Sequence, residues 1–166
     1  MKYRISTGSL TVQARSRVHN TTAVWNLVTG VVEADPATLA TAGATAKFEV
    51  DMTAFDAGDF LKNRKLRSDF ELARYPTATF ELTSVRDVAG GGGAFTARAT
   101  GVLAWHGRQV ELVLAGRGTL DAMTVSASAQ GALDIRTLGL AAPRFLMFKV
   151  EDEVTVAVEI RGAAAP

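Results

Sequence analysis

Apolar and polar side chains alternate along most of this chain. Over residues 44–52, Ala44, Ala46, Phe48, Val50 and Met52 fall on one face and Thr45, Lys47, Glu49 and Asp51 on the other. Successive strand side chains point to opposite sides, so the stretch reads as a strand with one wet face. The pattern recurs. Leu10, Val12 and Ala14 oppose Thr11, Gln13 and Arg15, and Ala78, Phe80 and Leu82 oppose Thr79, Glu81 and Thr83. Phe95, Ala97, Ala99, Leu103 and Trp105 share a face opposite Thr96, Arg98 and Thr100. Val110, Leu112 and Leu114 oppose Gln109 and Glu111, and Ala129, Leu133 and Ile135 oppose Gln130 and Asp134. Val154, Val156, Val158 and Ile160 oppose Thr155, Glu159 and Arg161.

Gly90-Gly91-Gly92-Gly93 and His106-Gly107-Arg108 stand between such runs and read as hairpin turns, since glycine takes positive φ without steric cost. One stretch breaks the alternation and predicts a short helix over roughly 57–67. Asp56 is placed to cap it, Asp59 suits its positive end, and Lys65 and Arg67 suit its negative end. Antiparallel strands joined by tight turns predict an all-β barrel or sandwich. No linker divides the chain, so residues 1–162 read as one domain, with a frayed tail over 163–166.

The apolar faces mix large side chains with small ones: Ala46, Ala78, Ala97, Ala99, Gly101, Ala127 and Ala129. Two readings fit. Small inward residues leave room for a ligand in a barrel of about eight strands, or they let two sheets pack closely.

Composition narrows the chemistry. A chain of 166 residues buries enough surface to fold without disulfides or a metal. With no cysteine there is no disulfide framework, Cys-based zinc site or thiol nucleophile. Eighteen Lys and Arg against 17 Asp and Glu give a net charge of +1, which selects neither nucleic acid nor an anionic surface. Residues 1–8 hold no apolar run of signal-peptide kind, which makes a soluble, cytoplasmic protein the expectation, or a periplasmic one if a leader preceded this chain. No apolar stretch is long enough to span a bilayer.

Catalytic and metal-binding candidates are few. His106 falls in a turn, where an exposed position is expected, and His19 falls near the mouth of a strand. Two histidines without nearby carboxylates fall short of the three or four ligands of a usual site, so no metal is expected. There is no nucleophile elbow, P-loop, zinc-protease or dinucleotide motif. Asp51, Asp56 and Asp59 are explained by capping and solvation. Lys62, Arg64, Lys65, Arg67 and Arg74 form the one basic concentration: a solvated helix face, or a positive rim for an anionic head group or membrane phosphate.

One segment carries a family resemblance. Arg64-Lys65-Leu66-Arg67-Ser68-Asp69-Phe70, followed by Arg74-Tyr75-Pro76-Thr77-Ala78-Thr79-Phe80, resembles the YceI-like family of polyisoprenoid-binding proteins. Pro76 cannot continue a helix and holds Tyr75 extended. Further similarity runs in order along the chain: Ser9–Val12, Gly30 through Pro36, Ala44–Met52, Asp134 through Phe145 with Gly139 and Pro143, and Glu151–Val154. The chain departs from the family where Arg108-Gln109-Val110 follow the hairpin glycine and where Leu138 precedes the closing glycine.

The resemblance implies an antiparallel, lipocalin-like β-barrel whose apolar tunnel holds a polyisoprenoid lipid or isoprenoid quinone. The expected lining is Leu10, Val12, Trp25, Leu27, Phe48, Val50, Phe60, Leu66, Phe80, Leu82, Phe95, Leu103, Trp105, Leu112, Leu114, Leu133, Ile135 and Phe145, with Arg64 and Arg67 as head-group contacts. No cofactor beyond a bound isoprenoid-type lipid is expected, and no catalytic residue. The expected partners are that lipid and, for assembly, a second copy in a homodimer; nucleic acid and an integral membrane segment are not expected. The alternatives are a ligand-free structural or interaction module with a filled barrel, and an enzyme acting on a hydrophobic substrate.

Overall fold

The long alternating runs become strands, and hydrogen bonding closes them into a ring. The computed structural model describes residues 1–16, 20–141, 144–145 and 148–166. In chain order the elements are β1 (Lys2–Arg15), β2 (Asn20–Trp25), β3 (Val28–Ala34), α1 (Leu39–Ala42), β4 (Ala44–Asp51), β5 (Phe55–Asp56), α2 (Phe60–Asp69), β6 (Thr77–Gly91), β7 (Ala94–Trp105), β8 (Arg108–Leu120) and β9 (Thr124–Asp134). A 3-10 turn (Ile135–Leu138), the short pair β10 (Arg144–Phe145) and β11 (Phe148–Lys149), and β12 (Glu153–Ala164) complete the chain. His19 and Pro143 lie outside the described residues, and only the backbone of Phe145 is described.

Eight antiparallel strands make the barrel, in the order β1-β3-β4-β6-β7-β8-β9-β12, and β12 pairs back onto β1. A closed ring has no free edge to pair with other chains. On the edge away from β12, β1 serves two neighbours: residues Lys2–Ile5 pair with β3, and Leu10–Arg15 pair with β2, which in turn pairs with β5.

The turns obey their sequences. His106 and Gly107 have φ of 54° and 69°, and Gly92 and Gly93 have φ of 67° and 88°. Positive φ at both central residues is the two-residue turn whose twist matches a hairpin. At the β8–β9 turn the Asp121 carboxylate accepts the Met123 and Thr124 amides at 2.7 and 2.8 Å.

The helix forms, displaced from its expected span. Asp59, extended at φ −148°, is its cap and accepts the Lys62 amide at 2.8 Å. Asp56 lies in β5 instead and accepts from the Gly58 amide and the Asn63 side chain. Gly58, at φ 111°, makes the corner that delays the start to Phe60. The tail is also more ordered than expected. β12 runs to Ala164, and the Ala164 and Ala165 amides bond to the Met123 and Lys2 carbonyls, so strand pairing holds residues predicted to fray.

Three buried clusters form along the inside of the barrel, one of them Ile135, Val154 and Val156. Ala23, Trp25, Met52, Ala57, Leu66, Leu72 and Ala78 pack at the α2 end. Tyr3, Ile5, Val28, Val32, Ala34, Ala46, Leu120, Val125 and Ile160 pack toward the other. There the Tyr3 hydroxyl donates to the Asp121 carbonyl at 2.6 Å, and burial pushes its pKa up, so it stays a neutral donor.

Candidate functional site

The inward faces of the eight strands do not meet along their whole length. Between them lies an apolar cavity of about 290 Å³. Its wall includes Leu112, Leu114, Gly116 and Leu120 of β8 and Val154, Val156, Val158 and Ile160 of β12. Leu112 to Leu120 is eight strand positions; at about 3.4 Å per residue and a tilt of about 40°, the wall follows roughly 20 Å of the barrel axis. Thr79, Arg117 and Ser128 are the polar residues among those that line it. No buried side-chain N or O among the described residues lacks a hydrogen-bond partner. A cavity of this kind favours apolar contents over water, because water needs polar partners to enter.

Most of the expected lining is there. Leu10, Val12, Trp25, Phe48, Val50, Phe80, Leu82, Phe95, Leu103, Trp105, Leu112, Leu114, Leu133 and Ile135 all face the cavity. So do the small residues Ala46, Ala78, Ala97, Ala99, Ala127 and Ala129, and they are what keeps the interior open. Phe145 lies where no side chain is described.

Three residues are placed differently. Leu27 is 54% exposed: the break at Asn26–Leu27 adds one residue between β2 and β3, so Trp25 and Val28 face inward and Leu27 outward. Phe60 is 74% exposed, since it opens α2 on the helix's outer side. Leu66 is buried, but it anchors α2 against Trp25, Met52 and Ala78 without lining the cavity. Arg64 and Arg67 are exposed on α2 and do not line the cavity, and the Arg67 guanidinium sits 5.4 Å from the Phe55 ring centre.

Other lining residues escaped the sequence reading. Val28 was masked by the same strand break. Val85 comes inward because the β6–β7 register shifts between Leu82 and Ser84, which moves the inward positions by one. Phe70, Leu138 and Leu140 come from irregular segments at the α2 end, where no period marks them.

The α2 end is also the best fixed in geometry. Trp25 Nε1 donates to the Met52 carbonyl at 3.1 Å, and Trp105 Nε1 to the Tyr75 carbonyl at 2.9 Å. Each indole thus shows an apolar face to the cavity while its N–H is satisfied. His106 is half-buried rather than an exposed turn residue. Its ring stacks on Tyr75 at 4.0 Å and meets Trp105 edge-on at 4.5 Å, and its Nε2 lies 2.7 Å from the Phe70 carbonyl oxygen. This packing ties the β7–β8 turn to the segment after α2. Among the described residues there is no group of three metal-ligating side chains.

Residues 3–162 match the YceI-like domain. The chain belongs to the YceI-like family. Several solved structures share its fold at low identity. BcnA of Burkholderia cenocepacia superposes with a TM-score of 0.75 at 20% identity, over 93% of this chain and 95% of its own. A polyisoprenoid binding domain from Saccharophagus degradans, implicated in plant cell wall breakdown, gives 0.76 at 15% identity over 98% of both chains. A YceI protein of Campylobacter jejuni gives 0.72 at 15% identity, over 90% of this chain and 88% of its own. No curated protein sequence matches the chain. Among the described residues of this YceI-like barrel, no helix is long and apolar enough to cross a membrane.

Proposed function

We propose that this YceI-like barrel binds and carries one long apolar chain, a polyisoprenoid lipid or isoprenoid quinone. The observation that carries the reading is the apolar cavity that follows the barrel axis and is walled by residues of both end clusters. The description of the Saccharophagus degradans relative as polyisoprenoid-binding supports the ligand class. The energetics favour a chain over a compact molecule. Each buried methylene contributes about 0.8 kcal/mol, so a five-carbon unit contributes on the order of 4 kcal/mol. Association costs about 4–15 kcal/mol in lost freedom, which one unit at best cancels and several exceed.

Mass spectrometry of an organic extract of the purified protein tests this directly, and a co-purified isoprenoid is the expected result. Ala97→Phe and Ala99→Phe provide a second arm, since both alanines line the cavity. Filling an open cavity should abolish retention of an isoprenoid probe with little loss of thermal stability. Destabilisation by about 1–3 kcal/mol, with no retention of the probe by the parent protein, would favour the ligand-free module.

A further inference from the structure

The outer face of α2 carries a pattern that the cavity does not use. At 100° per residue, Phe60, Leu61, Arg64, Arg67 and Ser68 fall on one side, and all five are exposed. Phe60 and Leu61 are each 74% exposed. Single exposed apolar residues are ordinary on a soluble protein. Two adjacent large ones at the start of a helix, with Arg64 and Arg67 on the same side, make an exposed surface that is both apolar and basic. Residues 59–69 hold four cations against two carboxylates. Both carboxylates are engaged, Asp59 in capping the helix and Asp69 in an ion pair with Lys65 at 3.1 Å. The ammonium of Lys62 and the guanidinium of Arg64 have no partner among the described residues.

The opposite side of the helix fixes its position. Leu66 is buried against Trp25 and Met52, which line the cavity, and Phe70, directly after the helix, lines it as well. The exposed face therefore sits over one end of the cavity.

We propose that the outer face of α2 docks on an anionic lipid bilayer. Phe60 and Leu61 enter the boundary between head groups and acyl chains, and Arg64 and Arg67, on the same side of the helix, meet the lipid phosphates. The charge selects an anionic surface, and the exposed pair selects one with an accessible apolar layer. The inference rests on the exposure and charge of α2, not on what the cavity holds. It gives the proposed carrier a place to exchange its ligand.

Vesicle co-sedimentation of the full chain tests it, with phosphatidylcholine alone and with equal parts of phosphatidylcholine and phosphatidylglycerol. The parent should bind the mixed vesicles and leave the neutral ones largely free. Arg64→Gln with Arg67→Gln should weaken binding on the order of fivefold per charge. Phe60→Ser with Leu61→Ser should weaken it by at least about tenfold. All four side chains point away from the core, and an unchanged melting temperature confirms that each variant is folded. A parent that ignores anionic vesicles overturns the proposal. So does a Ser variant that binds as well as the parent, which would leave only surface charge attraction. Uptake of an isoprenoid probe from vesicle-free solution, measured on the same samples, separates the two readings. Uptake without docking sinks this inference alone, and docking without uptake sinks the carrier reading alone.

Discussion

The Phe80 ring lies across Gly101 on the neighbouring strand, so closely that a Cβ there would overlap the ring and meet the Glu81 carbonyl oxygen at 2.6 Å. Phe80 pairs with Leu103 and Leu82 with Gly101, so the ring reaches its glycine diagonally. A bulky aromatic is thereby held against the wall and out of the centre, where it would block the cavity.

Gly101→Ala should therefore destabilise the barrel by about 1–3 kcal/mol through overpacking. Phe80→Leu removes the larger part of the clash, so the double variant should cost less than the sum of the single ones. Equilibrium denaturation of the four proteins gives the coupling. Strictly additive costs would show that the ring and the glycine do not constrain each other.

Ligand length should be read out by affinity. Each added isoprene unit should tighten binding by up to on the order of a thousandfold while the chain still fits, from about 4 kcal/mol of burial per unit. Once the chain outgrows the roughly 20 Å that the lined wall follows, affinity should level off. Titration with isoprenoid alcohols of increasing length tests this. A flat series from the shortest member would contradict burial along the axis.

Trp25 and Trp105 are the only tryptophans, and both line the α2 end of the cavity. A brominated apolar chain that occupies this end should quench the emission of both. Trp25→Phe and Trp105→Phe should each retain part of the response. Unchanged emission at saturating probe would place any bound chain elsewhere.

Acid should weaken the fold through its turns. Hydrogen bonds from the Met123 and Thr124 amides hold the Asp121 carboxyl below its ordinary value of 3.8. The Thr53 hydroxyl and amide lower Asp51, and the Arg136 side chain and amide lower Asp134. A carboxyl depressed by folding stabilises the native state fully above its unfolded pKa and loses that effect as pH falls through the folded one. Stability should thus be level near neutrality and drop once the pH falls below 3.8, with a shallower drop in Asp121→Asn. Melting temperatures across that range provide the measurement. An unchanged acid slope in the variant would remove Asp121 from the account.

The barrel wall was legible because its signal is local. A period of two from Ala44 to Met52 names the inward face of β4 without knowledge of its neighbours, and all five apolar residues line the cavity. The errors cluster where one residue is added to a strand. At Asn26–Leu27 and at Thr83 the parity shifts, and alternation then assigns Leu27 inward and overlooks Val28 and Val85. Phe60 was misplaced for a different reason. A helix start in sequence does not say which side of the helix meets the barrel, and that is decided by Leu66 docking among residues distant in the chain. The cavity itself has no motif. It is what the alanines and glycines of facing strands leave unfilled, and only the register shows which small residues face one another.

The pairing of β12 with β1 also bears on where the chain can be cut. Tyr3 stands opposite Ala164, and the Ala165 amide bonds to the Lys2 carbonyl, so the two ends of the barrel chain leave side by side from the same rim. The β6–β7 turn lies on that rim too, and a Cβ at Gly92 would meet open space. A short bridge from residue 166 to residue 1 would turn the backbone into a loop without ends. Reopening it between Gly92 and Gly93 would yield a circular permutant that starts with β7 and ends with β6, with every strand keeping its neighbours.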